Sequence, residues 1–144
     1  MPYRDIKFRA WDKQHKEMTM VNTLSFNLST MNRNEEYRLN YIIEFKLGSL
    51  VRQDGENMIL MQYIGLKDGH GKEIYEGDIV KADSSYHIWG GAKLKVFYGE
   101  VKFEPERGYY CVFKDTNRTD IDKNHIEVIG NIYQNPELSC SNKG

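Results

Sequence analysis

The chain has 144 residues, with 20 Lys+Arg against 21 Asp+Glu and a formal net charge of −1. A mean hydropathy of −0.68 and a pI near 6.4 describe a globular chain and exclude collagen-like, membrane-spanning and wholly disordered classes. So balanced a charge supplies no bulk attraction to phosphate backbones or acidic membranes, and any basic surface must be local.

Period-two alternation recurs along most of the chain. Ile6, Phe8 and Ala10 alternate with Lys7, Arg9 and Trp11, the pattern of a half-buried strand. Asp12 to Lys16 is a polar turn, and Met18 to Val21 is expected to return as the hairpin partner. Leu24, Phe26 and Leu28 mark a third strand. The polar stretch from Thr30 to Arg38 favours a loop, and Tyr41, Ile43, Phe45 and Leu47 mark a further strand. Asp54-Gly55 carries a type I′ turn signal. The run from Met58 to Ile64 is apolar on both parities. Such a strand must be covered on both faces, by its own fold or by another subunit.

The second half continues in the same style. Lys67 to Lys72 is a tight glycine-rich connection, and Ile74-Tyr75 leads into Gly77-Asp78-Ile79-Val80. Ala82 to Gly91 reads as a loop. Leu94, Val96 and Tyr98 share one parity and Val101 and Phe103 the other, which predicts a bulge or bend at Gly99. Glu104 to Gly108 is a turn before a returning strand from Tyr109 to Phe113. After a polar loop from Asp115 to Asn124, Ile126, Val128 and Ile132 close the pattern, and Asn135-Pro136 stops it.

The expected class is mostly β, with short meandering antiparallel strands in small barrels or sandwiches and little helix. Two lobes, 1–64 and 65–138, with a frayed tail over 139–144, describe the organisation, unless 1–138 is one continuous domain. The polar opening residues lack the apolar region of a signal peptide, and the expected location is cytoplasmic.

Three segments carry a resemblance. They are Ile6 to Asp12 with Met18 following, Leu60 to Asp68 running on through Gly71 to Val80, and Val128 to Leu138. In this order and at this chain length they resemble the YopX-like proteins of bacteriophages and prophages. The turn Asp68-Gly69-His70-Gly71 departs from the Asp-Lys-Asn-Gly type usual in that family. The resemblance implies a β-rich fold, a phage or prophage gene in a bacterial host, and a homo-oligomer. It supplies no reaction, ligand or catalytic residue. On their own chemistry these segments read as architecture. Gly65, Gly71, Gly77 and Gly130 suit turns or close backbone approach. Asp78 suits a turn held by a backbone N–H, and Tyr133 an anchor ahead of a terminating turn.

Signals for chemistry are weak. His15, His70, His87 and His125 stand in no metal-ligand spacing. Asp120, Asp122 and His125 come nearest, in a loop whose residue types suit turns. The segment from Asp115 starts like a calcium loop but has Asp120 where glycine and Ile126 where a carboxylate is required. Cys111 reads as an inert strand thiol, and a bridge to Cys140 carries no redox signature. Glu104 and Glu106 flank a turn proline, and no nucleotide-binding or hydrolase motif is present. No catalytic residue, metal or cofactor is assigned.

Two binding surfaces remain. Tyr86, Trp89, Lys93, Lys95, Tyr98 and Lys102 interleave aromatics with lysines, as single-strand-binding barrels do, and Lys7, Arg9 and Trp11 offer a second such face. The balanced net charge disfavours nucleic acid. Met58, Leu60 and Tyr63 on the doubly apolar strand, with a chain that is 12% aromatic, suit an oligomer interface. The favoured expectation is a non-catalytic protein that self-associates and binds a phage or host protein.

Overall fold

The computed structural model describes residues 5–29, 36–83, 96–113 and 126–138. The chain divides into two compact units, Lys7–Gln62, and Tyr63–Gly144 together with Met1–Ile6. Ten strands are described: β1 Phe8–Asp12, β2 Glu17–Ser29, β3 Glu36–Lys46, β4 Ser49–Asp54, β5 Met58–Lys67, β6 Glu73–Tyr75, β7 Asp78–Asp83, β8 Val96–Glu104, β9 Gly108–Phe113 and β10 Ile126–Asn131. Two 3₁₀ turns, Gly55–Asn57 and Pro136–Leu138, are the helical elements among the described residues. The class is mostly β, in two antiparallel sheets of order β4-β3-β2-β1-β5-β6 and β10-β7-β8-β9. Among the described residues both sheets are open, and neither forms a closed barrel.

In the unit Lys7–Gln62, β1 to β4 follow chain order as a meander, and β5 returns to pair with β1. β2 is one strand of 13 residues, joining what the alternation suggests are two. A bulge between Val21 and Thr23 switches the parity and so hides the continuity. β1 is not half-buried: Arg9, Ala10, Trp11 and Asp12 are all buried. It lies between β2 and β5, pairing Ala10 with both Thr19 and Leu60. Ala10, Ile42 and Met58 form the core here, with Val21, Leu24 and Leu39 packed against it.

The turn chemistry of β3 and β4 also differs from expectation. Lys46 pairs with Ser49 across a two-residue loop, Leu47-Gly48, with φ of +50° and +82°. Two successive positive φ values are the mark of a type I′ hairpin. Asp54-Gly55 is a different device: Asp54 is extended and its carboxylate accepts the Glu56 N–H at 3.1 Å, capping the 3₁₀ turn. Gly55 is required by proximity, since a Cβ there would lie 2.1 Å from the Leu39 carbonyl oxygen.

The other unit is built around Ile64, Ile74, Val80, Ala82, Val101, Cys111, Ile126 and Val128, with Leu66, Phe97 and Tyr109 packed on them. β8 and β9 form the expected hairpin, Glu104 opposite Gly108. No bulge occurs at Gly99, where both ladders run in regular register. Gly99 and Val101 share the buried side, and Val96 and Tyr98 are exposed, so the apparent parity switch is apolar residues standing on the open side. The irregularity in this sheet falls instead between Val128 and Gly130.

Candidate functional site

The segments that carry the family resemblance are held by side chain to backbone bonds. Asp68 is buried; its Oδ1 accepts the N–H groups of His70 and Lys72 at 2.9 Å each, and its Oδ2 accepts that of Val128 at 2.9 Å. Burial alone would raise the Asp68 pKa, but these donors outweigh it and hold the carboxyl below its ordinary value. Asp78 accepts the Tyr75 N–H at 2.8 Å, as its place after Gly77 suggests. Asn131 accepts from Tyr133 and Gln134, and Asn135 Oδ1 from the Asn131 N–H at 3.3 Å. A Cβ at Gly130 would meet that same Asn135 oxygen at 2.3 Å. These residues fix turns through the bonds named.

The polar clusters in the first sheet are equally committed. Asp12 accepts the N–H groups of Gln14 and His15, and its Oδ2 lies 2.6 Å from His15 Nδ1. Burial raises the Asp12 pKa less than these contacts with His15 and Gln14 lower it. Glu44 is buried on β3, where Thr19 of β2 and Gln53 of β4 both donate to it. Glu17 and Lys46 form an ion pair beside it. Among the described residues no cluster of three His, Cys, Asp or Glu is placed to hold a metal. Cys111 is fully buried, and burial pushes its thiol up to about 12, far from a nucleophile's range.

Of the residues read as a nucleic-acid surface, Tyr86, Trp89, Lys93 and Lys95 lie outside the described residues. Lys102 and Tyr98 are exposed on β8. Their side of the sheet also carries Lys81, Glu100, Glu104 and Glu127, by alternation and register. That is three carboxylates among three lysine and tyrosine positions, an unpromising groove for phosphate. Arg9 and Trp11 are buried, so the second alternating face is not a stacking platform. Of the residues read as an oligomer interface, Met58 and Tyr63 are buried within the chain and Leu60 is half-buried.

A different apolar surface is open. Phe45 and Leu50 pair directly across the β3–β4 hairpin and are 67% and 62% exposed. Val21 pairs with Glu44, so one step along that register sets Met20, 54% exposed, beside Phe45. Leu47 stands at the hairpin tip, 98% exposed. Ile43 and Tyr41 continue this side of β3, and Arg52 lies over the Tyr41 ring at 4.0 Å. The opposite side of the same strand buries Ile42 and Glu44. Alternation in the sequence places Tyr41, Ile43 and Phe45 on one side of a strand but does not show whether that side is covered.

No helix among the described residues is long and apolar enough to cross a membrane. The search of curated proteins returns no match. Two solved structures are similar over nearly the whole chain. Protein EF1440 from Enterococcus faecalis is 25% identical, covering 94% of this chain and 99% of that one, with a TM-score of 0.55. Protein yopX from Bacillus subtilis is 26% identical, covering 92% and 97%, with a TM-score of 0.56. Residues 7–138 match the family described as YopX protein, and with the three segments in place on this two-sheet fold, the chain belongs to the YopX family.

Proposed function

We propose that the protein is a phage- or prophage-encoded, non-catalytic binding protein of the bacterial cytoplasm, which self-associates and engages a phage or host protein partner. The observation that carries this is the open apolar row Met20, Phe45 and Leu50 on three adjacent strands. Contiguous exposed apolar surface of this kind marks interaction sites in globular proteins. Support also comes from how the polar groups are spent: Asp12, Glu44, Asp68 and Asp78 hold turns and strands, which leaves them poorly suited to acid–base work on a substrate. Such action requires no cofactor.

Light scattering coupled to size exclusion tests the self-association. A mass that is a multiple of 16.9 kDa at micromolar concentration is the expected result. A mass of one chain at every concentration would remove it, and partner capture by a monomer would then have to be sought.

A further inference from the structure

We propose that the row Met20, Phe45 and Leu50 is covered by the same row of a second copy of this chain, packed face to face about a two-fold axis; this rests on the self-association proposed above. Over β2 to β4 the sheet is apolar on both sides. One side buries Ile42 with Val21, Leu24 and Leu39 packed against it, while the other presents Met20, Phe45 and Leu50 largely to solvent. Apolar residues on one parity of a strand indicate a face made to be covered.

Area and charge favour a second copy as the cover. Met20, Phe45, Leu50 and the adjoining Leu47 expose on the order of 500 Å² together, taking ~200 Å² for a fully exposed large side chain. Two such patches face to face remove about 1,000 Å², the lower bound of a specific interface. A two-fold contact must be self-complementary, with each residue meeting its counterpart's partner. Arg52 and Asp54 are two residues apart on β4 and so share the face of Leu50. Both signs therefore stand at the edge of the patch, and Arg52 of one copy can meet Asp54 of the other. The Tyr41 ring under Arg52 holds the guanidinium at that edge. A net charge of −1 leaves no repulsion between copies to overcome.

The test compares the mass of the wild type with three variants: Phe45→Ser with Leu50→Ser, Met20→Lys alone, and Phe103→Ser as an exposed control on the other sheet. The proposal expects a wild-type multimer, a multimer for Phe103→Ser, and self-association weakened about tenfold or more in the other two. If the double variant loses its β-sheet circular dichroism, Met20→Lys decides. A wild-type multimer that survives both row variants overturns this surface and leaves self-association standing. A monomeric wild type overturns both.

Discussion

The Val128 N–H donates to Asp68 Oδ2 at 2.9 Å, fastening the turn before β6 to β10 across 60 residues of chain. The other carboxylate oxygen holds the His70 and Lys72 amides at 2.9 Å each. One short side chain thus ties a local turn to a distant strand. Asp68→Asn keeps the shape but replaces one acceptor oxygen with a donor that faces an amide. Hydrogen bonds to a buried charge contribute ~1.5–3 kcal/mol, so this substitution should cost about 2–3 kcal/mol. A urea titration reads it as a lower midpoint at unchanged slope; an unchanged midpoint would mean that Asp68 is not the fastening.

The same carboxylate sets a pH dependence, together with Asp12. Both carboxyls are held below the ordinary aspartate range in the folded chain. The folded state therefore binds fewer protons than the unfolded state in the acid range. Stability from these groups is fully present above their unfolded pKa and is lost as pH falls through the folded values. The urea midpoint should fall below about pH 4, and Asp68→Asn should show a shallower fall than the wild type. Parallel curves would contradict the assignment.

Gly48 and Gly55 are needed for different reasons, and one pair of substitutions separates them. Gly48 has φ of +82° with open space around it, so Gly48→Asn should be nearly neutral because Asn tolerates that conformation. At Gly55 an added Cβ collides with the backbone of Leu39. Gly55→Ala should cost about 1–3 kcal/mol, the range for overpacking, in the same urea titration. Equal effects at the two positions would refute the distinction.

Leu47 occupies a left-handed position, φ +50°, with its side chain almost wholly in solvent. A leucine there costs on the order of 1 kcal/mol relative to a residue that accepts the conformation. Leu47→Asn creates the dipeptide favoured in type I′ turns. It should therefore raise stability by about 1 kcal/mol while weakening self-association, because Leu47 adjoins the apolar row. A thermal melt in dilute solution and a mass measurement at high concentration read the two effects separately. A loss of stability would mean that Leu47 is packed.

Much of this architecture is legible from residue order. The hairpin of β8 and β9 and the turn held by Asp78 follow from local chemistry that acts within a few residues, whereas β10 ends at Asn131, ahead of the expected stop at Asn135-Pro136. What is not legible depends on distance. Parity shows that Tyr41, Ile43 and Phe45 share a side, but not whether the chain itself covers that side, because cover is a property of three-dimensional neighbours. Bulges in β2 break its alternation and make one strand read as two. Asp54-Gly55 imitates a hairpin turn because capping and turning use the same residue types, whereas Leu47-Gly48 escapes notice because leucine is a poor choice for its conformation. Similarly, the carboxylate of Glu44 on β3 gives no local sign that β2 and β4 will each supply a donor.

The order β4-β3-β2-β1 has a consequence for synthesis. A ribosome releases these four strands in the sequence in which the sheet lays them side by side, so each finds its neighbour already made. β10 is delivered last, yet its place is beside β7, whose edge stays bare until then. For that interval a nascent chain carries Ile79, Val80 and Ala82 on an uncovered strand, an invitation to proteases and to premature pairing between chains. Slower translation between β7 and β10 is therefore expected to lengthen that exposure.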